Sequence, residues 1–397
     1  MKKKISILIT LIILSILGFA LVFDSLYKSN VFAAGEEKVS KYNLGIASKA
    51  AYVCDYDTKT VIYAQNENAK LPIASMVKIM TLLLCYEHIG TGAMTLEDMV
   101  QISDNAASMG GSQAFLDANS QYKVNDLLKS IVIASANDSC VAMAEHICGS
   151  VEVFVDRMNQ RAKELNMENT QFVNCTGLPA VGGYSSAKDV TSMLYELLKH
   201  KEYFLHSKIW MDKMIHKNNR ETELTNTNKL SRFYEGCDGG KTGYTSEAGH
   251  CLSATAKRNN LRLISTVIGS SDSKTRFAEV SKLLNMGFAN YENKVIVSAD
   301  NNLEQGIKVN RGKKDCIEAK PEENISIFKA RTDELKTIEV KQENAQLKAP
   351  VKKGDIIGKI TVLYDGQAYK TVNIIACEDV LKKGYKDNIK DMFRYWC

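Results

Sequence analysis

Apolar and polar positions divide the chain into four stretches of different texture. The first is an almost unbroken apolar run, Ile5–Phe23, preceded by Lys2, Lys3 and Lys4 and followed by Val31-Phe32-Ala33. A basic start, an apolar core and small residues at a cleavage point make residues 1–33 a signal peptide, with an uncleaved N-terminal anchor as the alternative. In either case the working part is exported. The second stretch, residues 41–293, mixes two periods. Ala51–Cys54 and Val61–Ala64 flank the turn Asp55–Lys59 as a hairpin. Leu71–Gly90 reads as one helix apolar on nearly every side, with Pro72 in its first turn and Gly90 as its stop. Val124–Ala134 repeats Val124, Leu127, Leu128 and Ile131 at helical spacing, and Ser139–Ile147, Phe154–Leu165, Ser186–His200 and Phe277–Phe288 continue as helices. Cys251–Ala256 and Leu261–Ile268 are strands around Arg258-Asn259-Asn260. Strands gathered at both ends of a helical segment predict an α+β or α/β domain whose sheet joins its first and last portions.

From Lys294 the period becomes that of strands. Ile325–Phe328, Ile338–Val340, Ile356–Tyr364 and Tyr369–Ile375, with a hairpin at Asp365-Gly366, predict a small all-β domain over residues 294–377. In the tail, 378–397, Leu381, Tyr385, Ile389, Met392, Phe393 and Trp396 gather near one helical face among Lys382, Lys383, Lys386, Lys390 and Arg394. That pattern suits an amphipathic helix, lying on a membrane surface or docked on its own domain.

Composition excludes more than it assigns. Hydrophobic and charged contents of 45% and 24% are those of ordinary globular proteins. A net charge of +5 includes the three N-terminal lysines, and no basic run carries interleaved aromatics, so nucleic-acid binding is set aside. The ten cysteines are scattered, with no Cys-x-x-Cys. Cys85, Cys140 and Cys148 fall in apolar helical runs, so buried free thiols are expected rather than a disulfide framework. Six histidines without ligand spacing give no metal site, and no cofactor is called for.

The candidate chemistry begins where the buried helix is interrupted. Ser75 and Lys78 share a face near its N-terminus, and no carboxylate in the run pairs with the lysine. Desolvation and the positive end of the helix dipole both favour a neutral amine, and a serine beside a neutral amine is an activated nucleophile. Ser-x-x-Lys occurs six times in the chain, but only this copy sits in an apolar helix. A second element, Ser135-Ala136-Asn137, lies between two helices. Its hydroxyl can relay a proton, and its amide can bind a substrate carbonyl or orient the lysine. Ser103-Asp104-Asn105 has the same spacing, but in a polar stretch where capping explains it. In the third element, Lys241-Thr242-Gly243, the ammonium and hydroxyl can hold a carboxylate, and the glycine keeps a strand edge clear for an extended peptide. The backbone N–H groups of Ser75 and Tyr244 are the natural oxyanion donors.

These three elements in this order resemble the active-site motifs of the penicillin-binding and serine β-lactamase superfamily. Pro72–Met80, Ser108-Met-Gly-Gly-Ser-Gln113, Ile133–Asp138 and Asp238–Thr245 narrow the resemblance to the low-molecular-mass D-alanyl-D-alanine carboxypeptidases, over about Asn43 to Tyr291. The resemblance implies a transpeptidase-like catalytic domain with a central antiparallel sheet flanked by helices, a β-domain behind it and a membrane-holding tail. It implies Ser75 as acyl-enzyme nucleophile, Lys78 as general base, Ser135 as proton relay, Asn137 as a substrate-orienting amide, and Lys241 with Thr242 as a carboxylate site. Arg276 matches an arginine placed near that carboxylate. The implied partners are peptidoglycan stem peptides ending in D-Ala-D-Ala, and β-lactams as covalent inhibitors. A β-lactamase, a transpeptidase and a non-catalytic sensor are the rival readings. Cys175-Thr176, where family members often carry a histidine, the loop Pro179–Gly183, and His250, where an aromatic residue is common, depart from the pattern.

Overall fold

Residues with alternating and wholly apolar strand patterns assemble one antiparallel sheet from both ends of the catalytic segment. The computed structural model describes residues 44–385 and residue 387, and the strands and helices among them belong to the unit that begins at Gly45. In chain order the strands of the catalytic part are β1 (Ala50–Asp55), β2 (Val61–Gln65), β3 (Met99–Gln101), β4 (Gln121–Lys123), β5 (Met211–Ile215), β6 (Glu221–Thr225), β7 (Cys237–Thr245), β8 (Gly249–Arg258) and β9 (Leu261–Ser270). The main sheet has the order β2-β1-β9-β8-β7, with β3–β4 and β5–β6 as separate hairpins. The sequence pattern's N- and C-terminal strands therefore meet at β1–β9, where Ala50 faces Ile268 and Asp55 faces Leu263.

The helices of five or more residues are α1 (Lys78–Gly90), α2 (Val124–Ala134), α3 (Asn137–Cys148), α4 (Val151–Glu164), α5 (Ala187–Leu197), α6 (Tyr203–Ser207) and α7 (Ser273–Asn290). Ser150, Ser186 and Asp272 cap α4, α5 and α7 by accepting the N–H groups of Val153, Asp189 and Thr275. Helices cover both faces of β9. Thr191 of α5 bonds Thr266 at 2.7 Å, while the backbone of α7 at Gly287 lies against Leu263. Three positions apart on a strand, Thr266 and Leu263 point to opposite faces. This explains why the interior of β8 and β9 is buried throughout and reads as continuous rather than alternating. Helix α1 is buried from Lys78 to Tyr86 and lies at the centre of the helical layer.

The expected start of that helix needs correction. Leu71 and Pro72 precede it in extended backbone, with Leu71 bridged to Ser185, and a 3-10 turn, Ala74–Val77, leads into α1. Ser75 thus sits in the tight turn rather than one turn inside an α-helix.

The C-terminal strands pair as Ala319–Pro321, Gln367–Ala376, Ile356–Tyr364 and Ile338–Asn344, in that spatial order. They enclose a separate apolar core that includes Ile325, Ile360, Val362, Val372 and Ile374. Asp365 (φ 55°) and Gly366 (φ 76°) are both left-handed, as a two-residue hairpin turn demands. The chain then stays extended, with Val380 bridged to Val351 and Lys382 to Gly312. The tail helix expected from residue 378 therefore does not begin there, and residues 388–397 lie outside the described residues, as does the apolar segment Ile5–Phe23. No helix among the described residues is long and apolar enough to cross a membrane.

Candidate active site

The 3-10 turn delivers Ser75 to the surface of an otherwise buried wall. Lys78 Nζ lies 3.0 Å from Ser75 Oγ and donates to the Thr176 carbonyl at 2.5 Å. The lysine is wholly buried, and burial holds its pKa below the ordinary 10.5. The turn is pressed from two sides by glycines. A Cβ on Gly177 would stand 2.0 Å from the Ala74 carbonyl oxygen, and one on Gly243 would stand 2.6 Å from that of Ile73. Ala74 itself is left-handed, with φ 47°. Gly243 therefore serves a close approach by the protein's own backbone.

Ser135 terminates α2 in the left-handed region, at φ 64° and ψ 33°, and its buried hydroxyl has no partner among the described residues. A non-glycine residue there carries strain of order 1–3 kcal/mol. Asn137 opens α3 and donates its amide to the Gly110 carbonyl at 2.7 Å, leaving its buried carbonyl oxygen unpaired. Its neighbour Asp138 accepts the N–H groups of Ala114 and Leu116, which fixes the loop that supplies Gly110. These unmatched polar atoms are costly in a folded core and cheap only if a ligand completes them.

Strand β7 forms the third wall and the outer edge of the sheet. Lys241 is buried, and among the described residues its ammonium hydrogen-bonds only its neighbour's carbonyl, Thr242 O, at 3.2 Å. Burial first, then the nearby Lys78 and Arg276, push its pKa well down. Lys241 and Arg276, with no carboxylate hydrogen-bonded to Lys241, leave a field suited to an anionic ligand. Thr242 Oγ1 donates to Thr227 Oγ1 at 2.8 Å, and the Thr227 N–H bonds the Ile133 carbonyl, tying β7 to the end of α2.

A profile of the D-alanyl-D-alanine carboxypeptidase family matches residues 36–272, and one of the penicillin-binding protein 5 C-terminal domain matches residues 291–382. The chain belongs to the D-alanyl-D-alanine carboxypeptidase family. It is 40% identical over 351 residues to D-alanyl-D-alanine carboxypeptidase DacF of Bacillus subtilis, covering 88% of this chain and 90% of that one. Against DacC of Escherichia coli K12 it is 32% identical, covering 96% and 95%. Among solved structures, penicillin binding protein 5 from Haemophilus influenzae superimposes with a TM-score of 0.63 at 30% identity, covering 85% and 98%.

Within this carboxypeptidase, Ser75 and Lys78 are in contact, Gly243 lies against the Ser75 turn and Lys241 lies near Lys78, while Ser135 and Asn137 stand at the α2–α3 junction. Arg276 is not the exposed helix-start residue its position allows. It is buried and donates Nη1 to the carbonyls of Gly243 (2.9 Å) and Cys251 (3.3 Å), bracing β7 against β8. His250 stacks on the exposed ring of Tyr244, centroids 4.3 Å apart, which accounts for a planar side chain there. The rival Ser103 caps the helical turn Asp104–Ala107 and donates to Glu145. Sequence reasoning missed Thr176, Thr227 and Asp138. Thr176 and Asp138 lie in stretches already singled out, Cys175-Thr176 and Ile133–Asp138, whereas Thr227 had no local signal because it acts through contacts distant in the chain. Cys54, Cys85, Cys140, Cys175, Cys237 and Cys251 are buried free thiols.

Proposed function

We propose that this chain is a serine-type D-alanyl-D-alanine carboxypeptidase that removes the terminal D-alanine of peptidoglycan pentapeptide stems through an acyl-enzyme on Ser75. The observation that carries this reading is the 3.0 Å contact between Ser75 Oγ and a buried lysine whose charge is disfavoured. In the proposed reaction neutral Lys78 takes the Ser75 proton as Oγ attacks the penultimate carbonyl. The N–H groups of Ser75 and Tyr244 receive the oxyanion. Ser135 then passes a proton from Lys78 to the departing amine, the C–N bond breaks and D-alanine leaves. Water hydrolyses the ester by the same base, restoring Ser75. Lys241 and Thr242 hold the terminal carboxylate, Arg276 adds to the field around it, and the free carbonyl oxygen of Asn137 accepts an N–H of the peptide. A β-lactam presents the same carbonyl and carboxylate and is the expected covalent inhibitor. The N-terminal apolar segment suits export to the outer face of the cytoplasmic membrane, and the amphipathic tail suits contact with that surface.

The test is intact mass after brief exposure to benzylpenicillin, wild type beside Ser75→Ala, followed by D-alanine release from a pentapeptide. A one-drug adduct in wild type alone, together with D-alanine release, is expected. A folded wild type without adduct overturns the assignment, and rapid destruction of penicillin points to a β-lactamase instead.

A further inference from the structure

Helix α6 is five residues long, and each of its polar side chains reaches an element that carries a motif. Tyr203 Oη accepts the N–H of Gly240 at 2.9 Å and lies 3.4 Å from the Gly240 carbonyl oxygen, which it approaches as donor. Ser207 Oγ donates to the Asp238 carbonyl at 2.5 Å. His206 joins Tyr86 of α1 through Nδ1 and Asn125 of α2 through Nε2, both at 2.9 Å. The rings of Tyr86 and Tyr203 meet edge to face at 6.1 Å. The elements bearing Lys78, Ser135 and Lys241 are thus bound to one short helix behind the site.

The contact with Gly240 decides more than spacing. Strand β7 is the sheet's outer strand, and its pairing with β8 is regular from Gly240 to Thr245. In an antiparallel strand the N–H and C=O of residues two apart point to the same edge. Gly240, Thr242 and Tyr244 therefore share the open edge, in agreement with the Lys241 ammonium meeting Thr242 O from the site. Tyr203 occupies both edge groups of Gly240, which itself has φ 137° and no room for a Cβ beside Ser253 O at 2.4 Å. An extended peptide pairing with β7 finds Thr242 and Tyr244 open and nothing before them.

We propose that Tyr203 is a specificity-determining positioning residue: it ends the usable edge of β7 next to Lys241, fixes the register of the bound peptide and restricts cleavage to a C-terminal residue. With the scissile carbonyl at the Tyr244 N–H and the terminal carboxylate at Lys241 and Thr242, a peptide running antiparallel to β7 has its C-terminus directed at Gly240. One further residue meets backbone groups already taken. The proposal rests on the reading of Ser75 as the acylated residue.

The test compares kcat/KM for a peptide ending in D-Ala-D-Ala with that for the same peptide extended by one glycine, in wild type and Tyr203→Phe, with thermal unfolding alongside. The variant keeps the ring and frees both Gly240 groups. Expected is about a tenfold loss on the terminal substrate, carried by KM, and at least a tenfold shift of the ratio toward the extended peptide. An unchanged ratio in folded Tyr203→Phe overturns the proposal. Should that variant not fold, Tyr203→Met, which also lacks the hydroxyl, is expected to shift the ratio the same way, and an unchanged ratio there overturns it equally. Penicillin acylation of wild type separates the two readings: no adduct removes the nucleophile assignment, whereas an adduct with an unmoved ratio removes only the role of Tyr203.

Discussion

Lys78 is decisive at the scale of single residues, because its environment sets its charge. Burial lowers its pKa, and no carboxylate is hydrogen-bonded to restore it. The neutral amine is the base, so the base function is lost as pH falls through the lowered pKa of Lys78. The pH profile of penicillin acylation is therefore expected to show an acidic limb from Lys78, with a midpoint below the ordinary lysine value of 10.5, and an alkaline limb as the Lys241 ammonium, also lowered by burial, gives up its proton and its hold on the carboxylate. Lys78→Arg, which stays charged, is expected to lose at least about a thousandfold in rate across the profile. His250 stacks beside the site and is the histidine to exclude, so His250→Gln should leave the acidic limb in place. A limb that disappears with His250 would assign the titration elsewhere. At this scale the sequence was legible where chemistry is carried by residue type, as at Ser75, Lys78 and Lys241. At Gly243 the close approach of Ile73 and Met76 was not legible, because nothing local in the sequence reveals it.

Elements were legible in their existence and less so in their ends. The apolar period placed α2 at its observed bounds and found β8 and β9. It began the Ser75 helix too early, because Pro72 is as suited to a first turn as to the extended entry it occupies. What actually bends the chain at Ala74 is the approach of Gly177 and Gly243, both over 100 positions away in sequence. That contact makes a prediction about the element rather than its catalytic side chains. Gly177→Ala places a methyl carbon 2.0 Å from Ala74 O at a backbone φ of 78°, so the Ser75 turn must move. A displacement near 1 Å of a reacting group costs about a hundredfold in rate. Penicillin acylation of folded Gly177→Ala should fall by at least that factor with Ser75 and Lys78 untouched. A rate within threefold of wild type would show that the turn holds its shape without the glycine.

At the scale of the whole molecule, the change of hydrophobic period after helix α7 separated two kinds of core, but nothing in it told how the later β-strands are fastened to the catalytic sheet. Asn293, in the strand Tyr291–Val297, makes that connection. Its buried amide nitrogen donates to Asp55 Oδ1 (3.2 Å), Asp57 Oδ2 (3.1 Å) and the Asn260 carbonyl (3.2 Å). Asp55 is wholly buried, and desolvation already raises its pKa against the help of Thr58 and Asn293. The register puts this junction at the far end of the sheet from the site: Asp55 faces Leu263, whereas Tyr244 faces His250 and His250 faces Ser270. Asn293→Ala leaves buried acceptors unmatched and is expected to cost about 1–3 kcal/mol in urea-induced unfolding. Because Asp55 is then held less well as a carboxylate, the loss should shrink as pH falls and the group protonates. Acylation by penicillin should stay within twofold of wild type, since no element bearing Ser75, Ser135 or Lys241 touches Asn293 through these bonds. A variant as stable as wild type would mean that the junction is held by other contacts. A variant that folds yet loses acylation would mean that the far end of the sheet governs the near one.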